Sequence, residues 1–413
     1  MSALRNAVAA IRSLPRNVWV VTVASFLTDV SSEMVFNLLP LFLANVLGIR
    51  LGLIGLIEGV AETTASIVKM YSGWFSDWLG KRKWLTIAGY SLSTIAKPFL
   101  YLANSWPGVL AVRFTDRLGK GIRTAPRDAL IADSISAERR GLAFGLHRAG
   151  DTLGAALGLS IALFVVWYAQ GLNLQLDRET FQLLALISVV PAALAVAILI
   201  LGAKDVAKTG SSRQSPSLSF RGLGRGFGIF LVSVIIFTLG NSSDAFIILR
   251  AQERGLTLVG ILSMLIVFNF LYALVAGPAG ALSDRIERRK IIIASWLVYS
   301  VIYAGLAIAQ SAWHVWLLFA VYGIYYGSTE GVSRALVADL VGADRRGSAY
   351  GVFNAAIGFT VLPASVIAGV LWQGVGSWMG LGASAPFVFG SAMALLAALL
   401  LYLQPGIHNK PAP

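Results

Sequence analysis

Residues 73–83 read GWFSDWLGKRK, and residues 280–290 read GALSDRIERRK. Their aspartates, Asp77 and Asp284, stand 207 apart (284 − 77). A second block behaves the same way. ALIAD at 129–133, followed by Arg139, Arg140 and Gly141, returns as ALVAD at 335–339, followed by Arg345, Arg346 and Gly347. That offset is 206 (339 − 133). Two separate blocks at nearly the same spacing imply that a single unit was duplicated. The chain divides accordingly into an N-terminal half, residues 1–202, a polar linker, residues 203–225, and a C-terminal half, residues 226–413.

Each half holds six apolar stretches. They run over 18–45, 53–75, 84–103, 107–132, 142–168 and 181–202, then over 227–249, 256–282, 291–310, 313–338, 348–372 and 383–403. About 20 residues of helix cross about 30 Å of hydrocarbon. Of the 413 residues, 57% are hydrophobic and 13% charged. A soluble domain carries about 25% charged residues. An outer-membrane barrel would show short alternating strands instead. The expected fold is all-α, a membrane protein of twelve transmembrane helices in two pseudo-symmetric six-helix bundles.

The net charge of +13 follows the spans. Lys81, Arg82 and Lys83 lie between spans two and three, and Arg139 and Arg140 between four and five. Lys204, Lys208, Arg213, Arg221 and Arg225 precede span seven; Arg285, Arg288, Arg289 and Lys290 precede span nine; Arg345 and Arg346 precede span eleven. Residues 104–106 and 374–382 carry no basic residue. This positive-inside bias predicts an inner-membrane protein with both termini in the cytoplasm, and it removes the case for nucleic acid as a partner. The first 16 residues lack a signal-type apolar core, so no cleaved signal is expected. The chain has no cysteine, 6 methionines and scattered histidines at 147, 314 and 408, which leaves no expected metal site. Gly119-Lys120-Gly121 lacks the rest of a phosphate loop, and the glycines at 222–228 follow no strand. No cofactor and no enzymatic activity are expected.

The loop signature resembles that of the major facilitator superfamily: Gly73, Asp77, Gly80, Lys81, Arg82 and Lys83, and in weaker form Gly280, Asp284 and Arg288. Trp78 departs from it, standing where members carry a basic residue. The resemblance covers essentially the whole chain. It implies alternating access between two bundles and monomeric operation in the lipid bilayer. It also implies a cytoplasmic gate of Asp77, Lys81 and Asp133, with Asp284, Arg288 and Asp339 as its partial copy. Arg113-Phe-Thr-Asp-Arg117-Leu-Gly-Lys-Gly121 is similar to the family's fourth-helix motif, in which an arginine is tied to proton movement. Arg117 with Gly121 is the match, while Lys120 replaces a glutamine. Gly150, Gly154 and Gly158 resemble the antiporter motif of span five without its proline, which weakens the case for antiport.

Ionisable residues inside spans mark function, because each costs about 2.5–3.5 kcal/mol at a helix centre. On span four, at about 100° per residue, Arg113 sits at 0°, Arg117 at about 40°, Lys120 at about 340° and Arg127 at about 320°. Arg123, Asp116 and Asp128 widen this stripe, and Phe114, Leu118, Ile122 and Ala125 form the opposite face. Asp29 and Glu33 share a face of span one; Glu58, Glu62 and Lys69 align on span two; His147 and Asp151 align on span five beside Arg148. The second half offers Asp244 beside Asn241, and Glu330 four residues before Arg334. A carboxyl that carries protons at neutral pH needs desolvation or a like-charged neighbour, which Glu33 has in Asp29 and Glu62 has in Glu58. Counted over the first half, bases and acids nearly balance, so structural ion pairing is the competing account.

These observations point to a secondary active transporter, proton-coupled, for a small polar solute, anionic or zwitterionic. The aromatic second half favours a proton-coupled multidrug or amphiphile exporter as the alternative. A non-transporting membrane receptor is the alternative of another class. Substrate identity and direction of transport are not written in the sequence.

Overall fold

The computed structural model describes residues 12–136, 139–206, 223–283, 285–342 and 345–403, apart from the side chains of Asp77, Ala281 and Gly347. Among the described residues the chain forms twelve helices: α1 (Arg16–Phe36, resumed at Leu39–Leu41 and a π-turn at Phe42–Val46), α2 (Leu51–Leu79), α3 (Arg82–Ala96, resumed at Phe99–Leu102), α4 (Trp106–Asp133), α5 (Arg140–Gln170), α6 (Arg178–Gly202), α7 (Gly224–Gly240, resumed at Ala245–Glu253), α8 (Leu258–Ser283), α9 (Arg288–Ile308), α10 (Ala312–Leu340), α11 (Arg346–Gln373) and α12 (Ala385–Tyr402). Nine of them are long and apolar enough to cross a membrane on length and composition. The other three are α3, α4 and α10. Lys97 and Pro98 divide α3, the charged stripe makes α4 polar, and α10 is rich in Tyr, Trp and Gly.

Three helices are interrupted for local reasons. Pro40 has no N–H to give the Phe36 carbonyl, and Pro98 none for Thr94. In α7 the run Asn241-Ser242-Ser243-Asp244 competes for backbone hydrogen bonds and breaks the helix. After that break, Arg250 is fully buried and donates to the carbonyls of Leu306 at 3.2 Å and Ala307 at 3.0 Å, closing the end of α9. It also pairs with Glu253 at 2.7 Å.

The chain forms two compact units. The first comprises residues 1–38, 64–165 and 179–215; the second comprises 39–63, 166–178 and 216–413. Most of the linker, residues 207–222, lies outside the described residues.

Close helix approach organises the first unit. A Cβ at Gly154 would stand 2.4 Å from the Phe26 carbonyl, and one at Gly158 2.4 Å from that of Val30, so α5 lies directly on α1. A Cβ at Gly89 would stand 2.6 Å from the Gly119 carbonyl, which seats α3 against α4. In the second unit, Gly55 and Gly59 let the start of α2 touch α11 at Ser365 and Leu362. Thr63 donates to the Gly358 carbonyl at 2.6 Å there. Ser300 and Ser391 join α9 to α12 at 2.8 Å.

Candidate functional site

In the first unit the cations of α3 and α4 converge on one ring. Phe36, at the end of the first stretch of α1, has the Arg113 guanidinium 4.4 Å from its centroid and Arg117 and Lys97 each at 5.8 Å. A ring face attracts cations through its quadrupole, more strongly where water is excluded. Lys97 is 0% exposed. Its ammonium donates to the Ser31 hydroxyl and, at 3.1 Å, to that of Ser32. Ser31 in turn donates to the Ser188 carbonyl at 2.5 Å. Lys97 falls outside the site expected from sequence because it stands alone, away from the long charged stripe on α4. The signal was a lysine inside an apolar span, one residue before a proline.

The α4 stripe does not act as a single surface. Asp116 and Arg123 are buried toward α3, where Arg123 donates to Ser93 at 2.5 Å and stacks on Tyr90 at 4.6 Å. Asp116 approaches Arg117 at 4.0 Å. Lys120 is exposed, as is Arg148 on α5. Arg127 binds Asp128 at 2.8 Å and Ser25 at 3.1 Å, a structural use of those charges.

Carboxylates gather on the same side of α1, about two turns before Phe36. Asp29 is within electrostatic reach of Glu33, Asp151, Lys120 and Arg123. Glu33 accepts from the Asn37 amide at 2.6 Å. Asp151 lies 3.7 Å from His147, a buried imidazole on the same face of α5. Glu58 and Glu62 belong to the second unit. The near-balance read from sequence covers residues 1–202 and stands; the first unit alone holds more interior bases than acids.

The second unit places rings where the first has charges. Tyr299, Tyr303, Tyr322 and Tyr325 are buried together, with Tyr299 stacked on Tyr303 at 4.0 Å. Asp244, at the break in α7, accepts from Tyr322 at 3.1 Å. Glu330 accepts from Tyr272 at 2.7 Å and pairs with Arg334 at 3.2 Å.

The basic loops carry a matched pair of clusters. Arg82 binds Asp133, and Arg288 binds Asp339. Arg140 donates to the Ala132 carbonyl at 3.3 Å, and Arg346 to that of Ala338 at 3.3 Å. Asp133 thus pairs with Arg82, whereas the resemblance assigned Lys81. Lys81 is exposed at the start of α3, and Arg82, the first residue of that helix, turns toward α4. Gly80 ends α2 at φ +65° with its N–H on the Ser76 carbonyl, a left-handed cap that favours glycine. A Cβ at Gly73 would meet Ala125 at 3.3 Å, and one at Gly280 would meet nothing within 4 Å. The Asp77 side chain and Asp284 lie outside the described residues. Trp78, which replaces the expected base, is exposed and stacks on Phe75 at 5.8 Å.

The family model described as Major Facilitator Superfamily matches residues 21–269 and 225–413. The chain belongs to the major facilitator superfamily. Superfamily relatives include an uncharacterized MFS-type transporter of Methanocaldococcus jannaschii, 35% identical over 396 residues, 94% of this chain and 95% of its own length. A probable 4-methylmuconolactone transporter of Cupriavidus pinatubonensis is 29% identical over 276 residues, 62% of each chain. Among solved structures, a bacterial homolog of the human lysosomal transporter Spinster, inward-facing and occupied, matches with a TM-score of 0.77 at 14% identity. That match covers 96% of this chain and 98% of the other. The fold is therefore the twelve-helix superfamily fold, in a multi-pass membrane transporter family.

Proposed function

We propose that this superfamily member is a secondary active transporter that couples a proton gradient to the movement of a small organic solute bearing a carboxylate. It works by alternating access between halves 1–202 and 226–413, joined by linker 203–225, in the inner membrane with both termini cytoplasmic. The observation that carries the reading is the convergence of Lys97, Arg113 and Arg117 on Phe36. A bundle held by packing alone has no use for three desolvated cations around one ring. A planar carboxylate suits guanidinium forks, and an adjacent aromatic face suits an organic body. The relative named for 4-methylmuconolactone supports a small organic solute. Asp29, Glu33, Asp151 and His147 are the ionisable side chains that line the proposed proton route beside that locus. The paired clusters Arg82–Asp133 and Arg288–Asp339 serve as cytoplasmic latches.

The test is proton movement in sealed proteoliposomes loaded with a pH dye and challenged with pooled organic acids. Wild type is compared with Glu33→Gln, Arg117→Ala and Glu330→Gln. Solute-dependent proton flux is expected in wild type, with at least a tenfold loss in Arg117→Ala. Uptake without proton flux, unchanged in every variant, would overturn the coupling.

A further inference from the structure

The second unit holds a group of rings and carboxylates distinct from the cationic locus. Tyr326 on α10 is 37% exposed, while Tyr322 and Tyr325 beside it are buried. Phe268 and Tyr272 of α8, together with Tyr322, surround it at 5.8–5.9 Å between centroids, each tilted 70–73° from its plane. Rings set at such angles meet edge to face rather than in a stack, and the exposed part of Tyr326 is left as the open wall of the group. Small residues permit the arrangement: a Cβ at Gly323 would stand 2.7 Å from the Phe268 carbonyl, and one at Gly327 2.8 Å from that of Tyr272. The seam between α8 and α10 is thereby tight, and the large rings are displaced to its margin.

Two of these rings carry an anion on their hydroxyls. Tyr322 donates to Asp244 at 3.1 Å and Tyr272 to Glu330 at 2.7 Å. Glu62 lies within electrostatic reach of both Asp244 and Tyr326. The charge acting on Asp244 among the described residues is another carboxylate, and the Arg334 that meets Glu330 is more than half exposed. The locus therefore has negative ring faces and negative side chains together.

That combination selects among ligand chemistries. An anion is repelled by it. An uncharged apolar body gains nothing from the carboxylates. A small metal cation needs several oxygen ligands at close range, and the ring faces provide none. An alkylated or primary ammonium is suited to it, because ring faces attract the spread charge while carboxylates neutralise it. We infer that the Tyr326 locus is a binding subsite for an organic ammonium group. The consequence for the carried solute, that it is zwitterionic and not purely anionic, rests on the transporter reading above. The subsite itself stands on the geometry of the second unit.

The experiment is binding of benzyltrimethylammonium to the purified full chain in lipid nanodiscs, measured by calorimetry beside its uncharged carbon isostere. Saturable binding of the cation is expected, at least tenfold tighter than the isostere. Asp244→Asn is expected to weaken it about tenfold and Tyr326→Leu about fivefold, with both variants eluting as folded monodisperse protein. Equal binding of the isostere, no saturable binding, or binding unchanged in both variants would overturn the subsite. Benzoate is titrated in parallel on wild type and Arg113→Gln, which reads the cationic locus by itself. Loss of the benzoate effect alone would sink the anion reading and leave the ammonium subsite standing; loss of the ammonium effect alone would do the reverse.

Discussion

The α3–α4 hairpin of the first unit and the α9–α10 hairpin of the second occupy the same place in the duplicated pattern, and their interiors have opposite chemistry. Arg82 and Arg288 open α3 and α9, and Trp106 and Ala312 open α4 and α10, each pair 206 apart. At that offset Lys97 corresponds to Tyr303, Arg113 to Phe319, Asp116 to Tyr322 and Lys120 to Tyr326. Charged side chains in one copy stand where aromatic ones stand in the other. The loop ends kept their chemistry: Arg82–Asp133 and Arg288–Asp339, with the carbonyl contacts of Arg140 and Arg346 alongside. Backbone register is thus compatible with either interior. A charged interior needs hydroxyls, rings and counter-charges at each site, whereas an aromatic one stabilises itself by burial and edge-to-face contact.

The contrast is most easily broken at its centre. Phe319→Ala removes a fully buried ring and is expected to destabilise the protein by about 3–5 kcal/mol, seen as lost yield and a lower melting temperature in detergent. Its counterpart Arg113→Gln is expected to fold, with solute uptake reduced at least tenfold. Should Arg113→Gln unfold instead, the charged hairpin is scaffold like its partner. Gly154→Leu comes next, because it drives a side chain into the α1 backbone; overpacking of this kind costs about 1–3 kcal/mol, read by thermal unfolding. A smaller and equal effect is expected of the latches. Arg82→Ala and Arg288→Ala should each shift stability or the conformational balance by about 1 kcal/mol, followed by cysteine-pair crosslinking on this cysteine-free chain. Unequal shifts would show that the two copies have divided their roles. Smallest is Lys81→Ala, expected within about 0.5 kcal/mol of wild type; a change as large as that of Arg82→Ala would restore Lys81 as the latch residue.

All twelve spans were legible in the sequence, because apolar runs depend on local composition. Three of them, α3, α4 and α10, fall below a strict window average of hydropathy for physical reasons. A window average penalises charges on α4 and tyrosines on α10 even where they face protein. The Lys81–Arg82 discrepancy arises at one residue. Aligning the loop signatures gives an offset of 207, which pairs Lys81 with Arg288, but the helices begin at an offset of 206. The first copy has one residue more between its loop aspartate and the start of the next helix, five steps from Asp77 to Arg82 against four from Asp284 to Arg288. Periodicity placed Asp116 and Arg123 on the α4 stripe correctly, but it could not tell a seam with α3 from an open face. Glu58 and Glu62 lie in the first half of the sequence and in the second compact unit, a grouping that sequence order does not display.

Arg250 gives the second unit a fixed joint. Its guanidinium ties the resumed part of α7 to the last carbonyls of α9, and the Ser384 hydroxyl adds a bond to Ala307 at 2.5 Å just before α12. Three helix ends are knotted at one level, so sliding any of them would strand a charge away from water. Elastic strain in a transport cycle would therefore be taken up at the other end of these helices, and the knot would behave as a fulcrum.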